Sequence, residues 1–377
     1  MGGPLDRKYS REDINLTYIS KNSKCTTLTR FAKAALATTA SLAVVSALGL
    51  AMTQSAEAAQ TLRIQSSFNA GDFANQYLTE KWLPKVKEMT GGELEIEMMP
   101  SGSVVPAKET VDVIMAGVLD GDFTTPIYFS GRNPAFAILG DLTAAYDSPL
   151  QQLGFCKEGD GEAVHQKVYD KVFAGSITVV ACGPYAREAL TATVAINGVD
   201  DLKGKKIRAP QGLSSEVFRR AGATPVNIPY SEVYTALQTG IVEAADASAY
   251  VNNDASGLNK IARFPIYPGI HSQAVMQLAL NTKKWDSLSE TAQKGLRTWW
   301  YAAMEDLAKV ANQEDLKLAD RDRAGVKVTV VDWAQAERDK FREIAKEAWS
   351  DYASKSPEAK EALAAHMTYM KSINLLK

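Results

Sequence analysis

Residues 206–248, KIRAPQGLSSEVFRRAGATPVNIPYSEVYTALQTGIVEAADAS, change character about every ten residues, and this alternation constrains the fold more than any other stretch. KIRAP predicts a strand. Ser214 is placed to cap a helix running through Arg220, with Gly222 just past its end. TPVNIP predicts a second strand. Ser231 is placed to cap a second helix, whose Val233 and Leu237 share a face and which Gly240 ends, and IVEAADAS predicts the third strand. Strands alternating with helices at this spacing imply right-handed crossovers and parallel pairing.

The same plan occurs earlier in the chain. LRIQSSF (62–68), a helix from about Ala74 to Met89 closed by Gly91 and Gly92, ELEIEMM (93–99), a helix from about Pro106 to Ala116 and DGDFTTPIYFS make a first unit of about 70 residues. Between the units, two helices and the buried strand SITVVAC are expected over 141–182. After the second unit come a return strand in SQAVMQLALN, one very long helix from Ser289 to about Ala319, a strand in VKVTVV and a helical C-terminus from Trp333. The fold class is therefore α/β, with two lobes of mixed, mostly parallel sheets and a long helix crossing both. The boundaries read 59–183 and 184–270 for the lobes, 271–325 for the return strand and long helix, and 326–377 for the C-terminal strand and helices. Trp333, Phe341 and Trp349 of that last segment pack either on their own lobes or on a second chain as a homodimer.

Ahead of the lobes, Arg30 and Lys33 precede nineteen uncharged residues, Ala34 to Met52, and small residues at Ala56 and Ala58 surround a cleavage point. This reads as a signal peptide over 1–58 with an N-terminal extension, and Ala-, Ser- and Thr-rich composition favours it over a membrane anchor. The residues before Leu28 fit neither, which points to a start further downstream. Removing 1–58 takes away seven Lys/Arg and four Asp/Glu, leaving 35 bases against 40 acids. With both signs interspersed, no basic face suggests nucleic acid. Two of the three cysteines remain, Cys156 and Cys182, which in an oxidising compartment either close a disulfide or stay as separately buried thiols.

Ligands of open parallel sheets sit beyond the carboxyl ends of the strands. Those ends are Arg208–Gln211, Ile228–Tyr230 and Asp246–Asn252 in the second unit, and Phe68–Phe73, Pro100–Val104 and Thr124–Phe129 in the first. Arg208 is the sharpest candidate, because a planar guanidinium grips a carboxylate through two parallel hydrogen bonds in a way lysine cannot copy. Asp246 can bind a cation, accept from a ligand hydroxyl or pair with Arg208. Arg187 and Glu188 are hinge or site residues, or a surface ion pair; Phe68, Tyr128, Tyr185, Ser248, Asn252 and Tyr250 are walls of the same cleft or ordinary packing. There is no G-x-S-x-G, P-loop, G-x-G-x-x-G or C-x-x-C motif, and His165, His271 and His366 follow no metalloprotease spacing.

The chain resembles the solute-binding proteins of tripartite ATP-independent periplasmic (TRAP) transporters, in DLKGKKIRAP (201–210), GATPVNIPYSEVYTALQTGIVEAAD (222–246), GGELEIEMMPSGSV (91–104) and the long helix after NTKKWDSLSETAQ. The resemblance covers essentially all of the chain after residue 58. It implies a periplasmic, non-enzymatic protein whose two lobes close around a small organic acid and deliver it to a membrane permease. The family's carboxylate-binding arginine falls on Arg208. IYPGIHS (266–272) is similar to the branch for 2-oxo and 2-hydroxy monocarboxylates, where a sodium or calcium ion often bridges ligand and protein through an acid–Trp pair; here those positions are Asp246 and Ala247, so the acid is kept and the tryptophan is not. No other cofactor is implied. A periplasmic enzyme using Asp246, Glu188 or His271 as acid or base, and a receptor feeding a sensor domain, are the alternatives.

Overall fold

The structure is a computed structural model that describes residues 58–376, and the export segment and the downstream start fall outside the described residues. Among the described residues nine strands form two sheets: β1 (Gln60–Ser66), β2 (Leu94–Met99), β3 (Gly121–Thr124), β4 (Ile177–Pro184), β5 (Glu188–Ala192), β6 (Lys206–Arg208), β7 (Thr224–Val226), β8 (Ala244–Ala249) and β9 (Val275–Asn281). Their orders are β2-β1-β3-β9-β4 and β5-β8-β6-β7. Each sheet has a parallel core from one β-α-β-α-β unit, β1 between β2 and β3 and β6 between β7 and β8. Antiparallel strands then complete each sheet: β9 between β3 and β4 in the first, and β5 against β8 in the second. The return strand β9 thus carries the chain back into the sheet it had left.

Local departures from the sequence pattern have physical causes. The stretch expected as one helix over 74–89 is four short turns, Phe73–Tyr77, Leu78–Trp82, Leu83–Lys85 and Val86–Met89, with Pro84 removing one donor in the middle. Ser214 does not cap its helix. Gly212 holds the cap position of Leu213–Arg220 at φ 130°, a backbone only glycine adopts freely, and Ser214 bonds Asp141 and Thr143 instead. Ser231 likewise sits inside a 3₁₀ turn, Tyr230–Glu232, that leads into the helix Val233–Gln238. VKVTVV is not a regular strand: it forms one isolated bridge, Val331 with Ile266, in which the Thr329 and Val331 N–H groups donate to the Arg263 and Pro265 carbonyls at 2.8 and 2.9 Å, and Val326 is 99% exposed.

The long helix runs from Glu290 to Ala324, capped by Ser289, and at 1.5 Å per residue its 35 residues extend about 52 Å. Ala292, Leu296, Trp299, Trp300, Ala303, Met304, Leu307 and Ala311 bury one stripe in the core of the first lobe. Beyond them the same helix serves the second lobe: Asp315 accepts from the Val251 N–H at 2.6 Å and Asp322 from the Tyr250 hydroxyl at 2.7 Å. The helix therefore ties the segment after β8 to the first sheet. Trp333, Phe341 and Trp349 are buried within their own chain. Cys156, in the helix Pro149–Lys157, is joined to Cys182 of β4, closing a loop of 26 residues that contributes about 3 kcal/mol.

Several buried carboxyls make stability depend on pH. Burial pushes Asp122, Asp141 and Asp315 each up to about 7. Each holds a proton more tightly folded than unfolded, so its contribution falls as pH rises from about 4 through 7. Burial pushes His165 and His366 down to about 4 and about 3, and these oppose the trend only below their ordinary value of 6.5. Raising pH from 6.5 to 8 is therefore expected to lower stability, by roughly 1 kcal/mol per carboxyl, read as a falling thermal midpoint. A midpoint that rises over that window would contradict these protonation states.

Candidate functional site

A cleft of about 470 Å³ opens where the strand ends of the two sheets face each other. Ser101–Lys108 and Ile127–Ser130 form its first wall, and Arg208–Gln211 and Asn227–Glu232 its second. Hydrogen bonds join the lobes around it: Ser130 Oγ donates to the Gln211 carbonyl at 2.7 Å, Ser256 Oγ to Asp72 at 2.8 Å, and the Ala74 N–H to Asn252 Oδ1 at 3.2 Å.

Arg208 ends β6, the strand flanked by β7 and β8, so its side chain can reach across both neighbours. Nε donates to the Ile228 carbonyl at 2.9 Å, and Nη1 donates to the Asp246 carbonyl. The residue is 4% exposed, and no carboxylate pairs with it among the described residues. Two main-chain carbonyls thus fix the guanidinium, and no carboxylate hydrogen-bonds it among the described residues. Tyr128 stands beside it: burial pushes its hydroxyl pKa up, and the Arg208 charge works against that shift.

Asp246 does not pair with Arg208 through its side chain. Its Oδ1 lies 3.1 Å from His271 Nε2, and its Oδ2 is buried without a partner. Glu188, first residue of β5, completes the cluster, with one ligand atom from each of Glu188, Asp246 and His271 lying within 4.8 Å of one another. Burial, reinforced by the Asp246 charge, holds the Glu188 carboxyl well above the usual range. Burial also opposes ionisation of Asp246, but His271, a hydrogen bond from Glu188 and the Arg208 charge outweigh it and hold that carboxyl low. The two carboxyls are thus pushed in opposite directions, Glu188 up and Asp246 down.

Phe68 and Tyr185 pack edge to face at 5.4 Å, and the Tyr185 hydroxyl is buried without a partner. Ser248 Oγ accepts from Asn252 Nδ2 at 3.0 Å, so both belong to the inter-lobe linkage through Ala74. Arg187 is elsewhere. It lines a second cavity, because it and Glu188 are successive residues entering β5 and point to opposite sides. Tyr230 of the cleft wall, Asp72 of the inter-lobe bonds and Asp141 near His271 had no motif to single them out, although Tyr230 and Asp72 fall at strand ends.

Two α/β lobes around a cleft with a fixed guanidinium that no carboxylate hydrogen-bonds are an arrangement that suits a solute-binding protein. Residues 66–356 match the model of the DctP family, bacterial extracellular solute-binding protein family 7, and the chain belongs to that family. A monocarboxylate 2-oxoacid-binding periplasmic protein of Nostoc sp. is 30% identical over 237 residues, 61% of this chain and 62% of that protein, so the chain spans less than two thirds of that relative's length. A crystal structure of a TRAP periplasmic solute binding protein from Rhodobacter sphaeroides, in an apo open state, is 37% identical with TM-score 0.68 over 84% of this chain and 99% of the other. A TRAP periplasmic solute binding protein from Pseudoalteromonas atlantica, with bound sodium and pyruvate, matches with TM-score 0.73 over 84% and 95% of the two chains; at 23% identity it speaks for the fold alone. The family and these structures are solute-binding proteins and not enzymes.

Proposed function

We propose that the protein captures a small organic acid anion, a 2-oxo or 2-hydroxy monocarboxylate, in the periplasm and hands it to the membrane subunits of a TRAP permease. The observation that carries this reading is the buried Arg208, held by two carbonyls and lacking a carboxylate partner. A guanidinium has five N–H groups, so three remain for a ligand carboxylate after those two bonds. Tyr128 and Tyr230 supply amphipathic walls; Asp246 Oδ2 and the Tyr185 hydroxyl lie outside that lining and are buried polar atoms without a hydrogen-bond partner, which a ligand reaching past Arg208 would satisfy. Closure of the lobes strips water from the cleft and strengthens the ion pair. The name of the Nostoc relative supports the 2-oxo acid class and the periplasmic location.

A cation bridging ligand and protein would be held by Glu188 and Asp246, whose oxygens suit sodium or calcium. The imidazole of His271 is a poor ligand for either ion, so its role is to orient Asp246. A thermal-shift screen over pyruvate, longer and aromatic 2-oxo acids and lactate-like acids tests the reading. A cognate acid at about 100 times its dissociation constant stabilises the fold by about 2.7 kcal/mol. Loss of that shift on sodium omission identifies a monovalent bridge, and loss with chelator a divalent one. No shift with any of these acids would contradict the proposed ligand class.

A further inference from the structure

The first wall of the cleft is built from the connection that leaves β2 at Met99 and enters a 3₁₀ turn at Ala107. Pro106 has no N–H to give, and the Val104 and Val105 N–H groups find no main-chain acceptor among the described residues. One side chain holds both. Gln65, near the end of β1 and so between β2 and β3, accepts through Oε1 from the Val104 N–H at 2.8 Å and the Val105 N–H at 3.1 Å. Its Nε2 donates to the Val105 carbonyl at 2.8 Å. The residue is completely buried, and these three bonds replace the water its amide has lost. An apolar side chain would cost less to bury at that position of the sheet, so what the amide adds is a fixed loop.

The loop so held presents Val104 and Val105, both half-buried, to the cleft, and Ile228 lines the opposite wall. The Ile228 carbonyl is one of the two that anchor Arg208, so apolar surface begins beside the carboxylate position. At about 470 Å³ the cleft has room for on the order of fifteen water volumes. Pyruvate, whose side chain is a single methyl group, would leave most of that space to water. A branched or aromatic side chain would displace the water and bury apolar surface on both walls. We propose that Gln65 is a positioning residue for ligand choice: by holding Val104 and Val105 as a wall, it makes the cleft prefer 2-oxo acids with branched or aromatic side chains over pyruvate. The preference rests on Arg208 receiving the carboxylate.

The probes are 4-methyl-2-oxopentanoate and pyruvate, titrated calorimetrically against the parent protein and its variants. The parent is expected to bind the branched acid about tenfold or more tightly than pyruvate, since an added isopropyl group enters apolar surroundings. Gln65→Leu releases the loop and should weaken the branched acid about tenfold, and pyruvate less than about threefold. A purely structural role for Gln65 would weaken both acids alike, so the ratio of the two affinities is the readout. Val105→Ala, on the half-buried wall, should weaken the branched acid about threefold and pyruvate by less, and it decides the matter if Gln65→Leu does not fold. Arg208→Ala should weaken both acids alike, which separates the carboxylate site from the wall. Equal affinity of the parent for the two acids, or equal losses of both in Val105→Ala and in a folded Gln65→Leu, would overturn the role of Gln65 and leave Arg208 in place. Retention of both acids by Arg208→Ala would overturn the carboxylate site and the preference with it.

Discussion

Arg208→Ala is expected to weaken binding of the cognate acid by about 3–5 kcal/mol, roughly a hundredfold or more, in a calorimetric titration. The magnitude follows from where the charge sits. A ligand carboxylate drawn into a closed cleft has lost its water, and without Arg208 nothing of opposite sign among the described cleft-wall residues replaces that water except Lys108 at the outer rim. Arg208→Lys should recover only part of the loss, because a point charge cannot offer the two parallel donors of the guanidinium. The two carbonyls that Arg208 holds, of Ile228 and Asp246, make a parallel unfolding measurement necessary. Unchanged affinity in a folded Arg208→Ala protein would remove the assignment.

Gly269→Ala is expected to lower the unfolding free energy by about 3 kcal/mol and to impair binding with it. A Cβ built at Gly269 would lie 1.5 Å from the Glu188 carbonyl oxygen and 2.7 Å from its carbon. Both obstacles are main chain, so no side-chain rotation relieves the clash. The surrounding bonds show what must move: Phe264 and Ile266 donate to the Ala192 and Leu190 carbonyls of β5 at 2.9 and 2.8 Å, and the Glu188 N–H donates to Ser272 at 3.0 Å. Pushing this segment away from β5 separates His271 from Asp246 and shifts Glu188. Chemical denaturation reads the first effect and calorimetry the second; a variant as stable as the parent would mean that the segment is free to shift.

How far the sequence discloses this arrangement depends on whether a feature is local. The parallel cores were legible because strand and helix periods and their closing glycines lie within about ten residues of one another, and this placed Arg208 at a strand end. The antiparallel strand β5 was not, since Glu188–Ala192 is short and becomes a strand only by pairing with β8, some 55 residues on. That pairing decides the chemistry of the site. It turns Glu188 toward Asp246 and Arg187 away from it, a distinction of one residue that needs the strand register. The long helix was evident from its period, whereas its division of labour between the lobes, with Ala292 to Ala311 in the core of the first and Asp315, Ala319 and Asp322 against the segment after β8, depends on what lies beneath it.

The central claim is that one buried guanidinium in the inter-lobe cleft receives the ligand's carboxylate. A crystal structure of the protein with the acid that gives the largest thermal shift tests it most directly. The account predicts the carboxylate on the free N–H groups of Arg208, between Tyr128 and Tyr230, with its second oxygen-bearing group toward Glu188 and Asp246. A carboxylate found away from Arg208, in the cavity of Arg187 or on the outer surface, would contradict it.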